Sequence, residues 1–371
     1  MPGRSEAGIV PVPAAIANAV LTIPGRAFAT FRSRRRECSQ RYSQRRLKSF
    51  RSRSISFAKA THPNVKEENV RRLTTALPLL VLLVSGKPLP AQQQPLPDFS
   101  KVQIQTHKVA GNVYMLVGAG GNIAVSAGND GLLMVDTEYP PMFDKIEAAL
   151  KELSDKPLRF VIDTHWHLDH ASGNENFARA GAIIVAQENV RRILASGTMR
   201  DGVNYPPFPK DDLPAVTYDD RATIYWNGEP VKLIHYPNAH TDGDTVVYFA
   251  NSQVLDTGDN YRTDGFPLVD QDNGGSVKGM IAALDNIMET YPPATKVIPG
   301  HGPEPMTVAD IKSFADMLKD CRARVEKGIA AGKTVAQLKQ EKVLAGYEKY
   351  SGRVTSDHFT EMLYRELTEK K

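Results

Sequence analysis

The chain has 371 residues, 41% of them hydrophobic, and a formal net charge of +4, a length that fits one large domain or two smaller ones. The charge is split unevenly: residues 1–93 carry 17 Lys and Arg against 4 Asp and Glu, and the remainder carries 29 against 38. The larger part is acidic, which argues against a nucleic-acid partner and leaves a small-molecule substrate as the expected one.

Residues 1–69 read as a disordered basic leader, since residues 31–56 are dominated by Arg and Ser and hold no sustained apolar period. Arg71-Arg72 then precede the apolar run 73–84, interrupted by Pro78, and small and turn residues follow to Ala91. Residues 70–91 therefore have the order of a secretory signal peptide. The run is too short for a comfortable membrane span, so none is expected after processing near Ala91. A signal peptide seventy residues into a chain makes Val70 the expected true start, with export to a bacterial periplasm or medium. Organelle import through an Arg- and Ser-rich transit peptide is the alternative. Residues 92–107 read as a linker. Cys38 would leave with the leader, so Cys321 stands alone and no intrachain disulfide is expected.

Residues 103–125 predict strands around a Gly-rich turn at 118–121, and 131–136 a buried strand closing in Asp-Thr-Glu-Tyr. Phe143, Ile146, Leu150 and Leu153 mark an amphipathic helix by their spacing. A strand over 158–163, a helix over 174–180, a strand over 182–186 and a helix over 188–194 follow. This alternation predicts α/β layers. Residues 197–217, with Tyr205-Pro206-Pro207-Phe208-Pro209, look too rich in Pro for regular structure. Together with 261–276, they are candidate substrate loops or ordinary surface loops. Beyond His301, Val308, Ile311, Phe314, Leu318, Cys321 and Val325, then Phe359, Leu363 and Leu367, predict helices. Core packing is their expected role, a homodimer contact the alternative, and no chemistry is assigned to them.

The strand at 158–163 runs into His165-Trp166-His167-Leu168-Asp169-His170. Three imidazoles and a carboxylate are poor core material, but they are the ligands that borderline divalent metals select. In an extended segment residues i and i+2 face the same way, so His165 and His167 can grip one ion. Asp169 and His170 then come within reach of a second. Three later strand-like runs close on the same kind of residue: 231–234 before His240, 254–256 before Asp259, and 296–298 before His301. Strand ends of this kind carry chemistry on a rigid scaffold, at one edge of a sheet. His235 and Trp166 read as packing residues, and Asp163 as a loop cap or as a residue supporting the ligands from behind. Asp256 competes with Asp259, and Asp244 or Thr241 is expected to fix the tautomer of a ligand histidine. His62, His107 and His358 fall outside the pattern.

His165-x-His167-x-Asp169-His170, His240 before Thr-Asp-Gly-Asp, Asp259 after Gly and Pro-Gly-His301-Gly together resemble the metallo-β-lactamase superfamily, over about residues 108 to 303. The resemblance implies an αββα sandwich of two mixed sheets flanked by helices, with the metals at one edge and residues 304–371 as a helical C-terminal extension. It implies that His165, His167 and His240 hold a first metal and that Asp169, His170 and His301 hold a second, with Asp259 bridging. Two zinc ions are expected from the His/Asp donor set, with iron or manganese as alternatives. The implied reaction is attack by a metal-activated hydroxide on an ester, thioester, lactone or β-lactam-type bond, with Asp169 orienting the nucleophile and relaying a proton. The bridging Asp259 resembles thioester and ester hydrolases more than β-lactamases proper, which typically place Cys or Ser there. A mononuclear iron oxidoreductase like the persulfide dioxygenases and a non-catalytic metal-binding protein are the rival classes.

Overall fold

The computed structural model describes residues 96–369. The leader, the signal segment, Val70, Cys38 and His62 lie outside the described residues. The first part runs through β1 (Gln105–Ala110), β2 (Val113–Val117), β3 (Ile123–Gly128), β4 (Gly131–Val135), β5 (Leu158–Asp163) and β6 (Ile183–Gln187). A hairpin of β7 (Thr198–Arg200) and β8 (Val203–Tyr205) precedes β9 (Val216–Tyr218). These form a seven-stranded sheet in the order β1-β2-β3-β4-β5-β6-β9, with the hairpin apart. It is antiparallel up to β4 and parallel beyond it. The second sheet takes β10 (Arg221–Trp226), β11 (Glu229–Tyr236), β12 (Asp244–Phe249), β13 (Val254–Asp256), β14 (Lys296–Ile298) and β15 (Met306–Thr307) in sequence order. Only its β13–β14 pair is parallel.

Side-chain parity along the strands assembles the layers. Leu133 and Val135 of β4, with Ile162 and Val185, point inward onto Leu233, Val247, Phe249 and Ile298 of the second sheet. Their neighbours Leu132 and Met134, with Val161 and Ile184, point outward. There they meet Ile146 and Leu150 of α1 (Phe143–Leu153). The short α2 (Leu168–Ala171) and α3 (Asn174–Arg179), which adds Phe177 to that layer, and α4 (Glu188–Ser196) complete this side. On the far face of the second sheet Val246, Leu255 and Val297 meet α5 (Val277–Thr290), α6 (Val308–Ala330) and, past α7 (Val335–Gln340), α8 (Ser356–Thr368). The result is the expected αββα sandwich. Strands covered on both faces read as continuous apolar runs, which is why 131–135 shows no polar alternation. A capping box between Thr307 and Asp310 starts α6; a cap of this kind contributes about 1 kcal/mol.

The C-terminal helices bury Phe314, Leu318, Cys321, Phe359 and Leu363 in one layer, so core packing is their structural role. Two expectations need correction. Residues 105–107, where the linker and strand readings overlapped, are the start of β1, and Phe99, Val102 and Ile104 of the linker pack against the outer layer. Residues 197–217 hold regular structure: Arg200 pairs with Val203 across Asp201 and Gly202, both at positive φ. That is an Asp-Gly hairpin turn, a signal masked by the prolines after it. Among the described residues no helix is long and apolar enough to cross a membrane.

Candidate metal centre

Four strand ends deliver the seven candidate ligands, and they belong to both sheets rather than one. β5 opens into His165, His167, Asp169 and His170, while β11, β13 and β14 lead to His240, Asp259 and His301. The chain bends over 164–166 and then enters α2, so Asp169 and His170 sit on a helical turn. Ligand atoms of His165, His167 and His240 lie within 4.8 Å of one another, as do those of His165, His170 and Asp259, and of Asp169, His170 and His301. All seven expected residues therefore converge. Asp259 faces both groups: Oδ1 is 3.3 Å from Nε2 of His170 and of His301, and Oδ2 is 3.7 Å from Nε2 of His240. His301 Nε2 is also 3.5 Å from Asp169 Oδ2.

The surroundings assign the ring protons. Thr164 Oγ1 donates to Asp136 Oδ2 at 2.8 Å, so it accepts from His165 Nδ1 at 3.0 Å and leaves Nε2 of that ring bare. His167 Nε2 lies 3.0 Å from the Asp270 carboxylate, which leaves its Nδ1 bare. His170 Nδ1 lies 2.7 Å from Asp136 Oδ2, which turns its Nε2 to the centre. Two bare lone pairs then meet, His165 Nε2 and His167 Nδ1 at 3.1 Å, and His240 Nε2 lies 2.9 Å from the latter. Lone pairs converging on a buried point repel unless a cation sits between them. The donor set of imidazole and carboxylate, without sulfur, suits zinc and its neighbours. The residues fit a metal centre, and two overlapping groups sharing Asp259 fit a dinuclear one.

The electrostatics agree. Burial, then the neighbouring imidazoles, hold His165 well below the usual histidine range, and burial takes His240 down to about 3. Burial also lowers His167, with Arg200 adding to it. These three rings are neutral and ready to ligate at neutral pH. For Asp259 burial pushes upward, but His301 and His170 outweigh it and hold the carboxyl well below its ordinary value. Asp169 is ionised for the same reason, through His170 and His301. His170 is opposed by burial yet raised by Asp136 and Asp259.

Several positioning residues are absent from the sequence reading. Asp136, at φ 66 just past β4, accepts from the Thr164 backbone N–H at 2.7 Å as well as from His170. Asp270 accepts from Trp166 Nε1 at 3.0 Å, so Trp166 helps to orient the carboxylate behind His167. Asn122 holds the His301 loop, its backbone N–H donating to Gly300 O at 2.8 Å and its side chain to Pro299 O at 2.8 Å. Arg262 is buried, with Nε and Nη2 on Asp264 at 2.6 and 2.8 Å and Nη1 3.7 Å from Asp259. Arg353, from the extension, reaches to 3.5 Å from Asp169 Oδ2.

The weaker candidates also find their places. His235 Nε2 contacts Asp242 O at 2.9 Å, away from the ligand atoms, and Asp256 accepts from the Gly258 N–H, leaving Asp259 to face the centre. Asp163 accepts from Asn174 Nδ2 at 2.8 Å. His107 pairs with Glu304, and His358 lies in the first turn of α8. Asp244 accepts from the backbone N–H groups of His240 and Thr241, and Thr241 Oγ1 donates to it. It fixes the loop rather than a tautomer: His240 Nδ1 is buried without a hydrogen-bond partner.

The model of the Metallo-beta-lactamase superfamily matches residues 110–301. Among curated proteins the chain is 24% identical over 268 residues to the Linear primary-alkylsulfatase of Pseudomonas sp., covering 60% of this chain and 50% of that one. It is 27% identical over 196 residues to a "Probable hydroxyacylglutathione hydrolase" of Schizosaccharomyces pombe, covering 51% and 67%. The stereoselective inverting sec-alkylsulfatase Pisa1 from Pseudomonas sp. superposes with TM-score 0.54 at 16% identity, covering 71% of this chain and 50% of that one, a likeness of fold. The chain spans half the length of the alkylsulfatases it matches. Motifs, layers and a match over half of its length agree: the chain belongs to the metallo-β-lactamase superfamily.

Proposed function

We propose that the protein is a metal-dependent hydrolase with a dinuclear, most simply dizinc, centre. His165, His167 and His240 would hold one cation and Asp169, His170 and His301 the other, with Asp259 placed to be shared between them. The observation that carries this reading is the division of Asp259, whose two carboxylate oxygens face different histidine groups. When bound, such a pair supplies Lewis acidity that brings a water's deprotonation toward neutral pH and draws charge from the scissile bond. The chain's own residues do the rest. Asp136 and Asp270 hold His170 and His167 in their tautomers. Asp169, ionised and at the rim of the centre, would orient the attacking water besides ligating, and relay its proton to the leaving atom.

The bond attacked is an ester, thioester, lactone or β-lactam-type bond. A thioester or ester is favoured, because the bridging position is Asp259 and a hydroxyacylglutathione hydrolase is among the relatives; alkylsulfatase relatives add sulfate esters to the panel. The test is elemental analysis of protein purified without added metal, with turnover of such a panel by the natural chain and by Asp169→Ala. Near two zinc per chain and at least a hundredfold loss in the variant are expected. One iron per chain with oxygen uptake, or hydrolysis untouched by the substitution, would reject the reading.

A further inference from the structure

Arg353 stands between Tyr350 and α8, beside the buried Val354, on a loop whose Tyr350 carbonyl accepts from the Phe266 N–H at 2.7 Å. Its side chain is half exposed, and its ion-pair partner among the described residues is Asp169. Arg262 differs: it is buried, its fork is filled by Asp264, and its charge serves Asp259. Arg200, on β7, makes no ion pair among the described residues. Its guanidinium lies 5.8 Å from the Trp166 ring and 5.2 Å from that of Tyr205. The hairpin bearing it is pinned by Thr198 on Asn273 and by the Asp201 N–H on Asp272. Arg353 thus reaches the centre through Asp169, and Arg200 stands over Trp166, whose ring packs against that of His167 at 4.8 Å between centroids.

Resting on the hydrolase reading, Asp169 would hold a cation in the working enzyme, which offsets the negative charge that faces the Arg353 guanidinium. We propose that Arg353, with Arg200, is an anion-docking site that selects substrates bearing an oxyanion, carboxylate or sulfate, beside the bond that is cut. A guanidinium presents a planar fork matched to such groups. An arginine there solely to offset Asp169 would influence neutral and anionic substrates alike.

The experiment compares 4-nitrophenyl acetate with mono-4-nitrophenyl glutarate on the metal-loaded chain, on Arg353→Ala and on Arg353→Lys. Calorimetric titration with glutarate and with methyl sulfate accompanies it. The ratio of kcat/KM for the anionic over the neutral ester falls at least tenfold in Arg353→Ala and recovers in part in Arg353→Lys. Affinity falls at least fivefold for glutarate if the docked group is a carboxylate, and for methyl sulfate if it is a sulfate. A ratio within twofold of the natural chain, with both affinities unchanged, overturns the proposal. Where turnover and binding differ, the binding measurement decides. If no form cleaves either ester, calorimetry alone decides the docking site, and the wider panel decides the hydrolase reading.

Discussion

Asp136 and His170 meet at 2.7 Å between Oδ2 and Nδ1, and this contact leaves Nε2 as the ring atom available to the centre. The same carboxylate takes both donors of Thr164, so one residue orders the start of the ligand loop and one of its ligands. Asp136→Asn keeps a residue type that tolerates the positive φ here but changes the acceptor. Removing a carboxylate behind a ligand histidine typically weakens metal binding by about 10–100-fold. The expected loss is of that size for the cation assigned to His170, with a smaller loss at the other through Thr164 and His165, read by titration against a chromophoric chelator. Equal weakening of both would show that Asp136 holds the fold rather than the ring.

Asp270 plays the matching part for His167 from a different segment, with Trp166 as its second donor. Asp270→Ala is expected to weaken the other cation by a similar factor of about 10–100. It also frees Asn273, whose side chain donates to Asp270 and to Met199 O, and so loosens the β7–β8 hairpin. Hydrogen exchange over residues 198–205 reads that effect, and a hairpin as protected as in the natural chain would contradict it.

Gly121 touches the His170 ring so closely that a methyl group would overlap it. Gly121→Ala should cost about 1–3 kcal/mol through overpacking and displace His170 from the centre. Denaturant unfolding measures the first effect and cation stoichiometry the second. A variant that binds two cations with natural affinity would refute the close approach.

Cys321 lies fully buried in α6, and burial pushes its thiol up to about 12. At pH 8 its thiolate fraction is about one in 10⁴, against roughly a quarter for a free thiol of ordinary pKa. Labelling of this residue by iodoacetamide, followed by peptide mass spectrometry, should be negligible in the native protein and complete in guanidinium. Rapid native labelling would mean that the C-terminal helices open locally.

The ligand set was legible because each member ends a strand-like run and four of the seven lie within six residues. That 131–135 is a strand covered on both faces was legible too, in its unbroken apolar run, though not which residue faces which layer. What escaped was the shell contributed from a distance. Asp136 follows a buried strand that the sequence did mark, but only its left-handed backbone aims it at a histidine 34 residues on. Asp270 is 103 residues from His167, in a turn whose Asn-Gly-Gly reads as a plain loop. Arg353 lies in a segment whose helical periodicity speaks for packing alone. Such contacts are set by which strands lie side by side and by how the two sheets dock, and no local pattern encodes that.

The division of the ligands between the sheets also bears on how the protein matures. A nascent chain that has emerged only through β9 offers four ligands, with neither His240 of the first cation nor His301 of the second. Only when β14 takes its place beside β13 does the last ligand arrive. Any cation captured earlier meets a half-built seat and leaves readily, so the choice of metal falls to the folded protein and not to the chain as it is made. From that moment each ion would clasp two sheets already joined by apolar contact and by hydrogen bonds such as Asn227 Nδ2 to Gly131 O, and mis-metallation would become a question of exchange from a finished molecule.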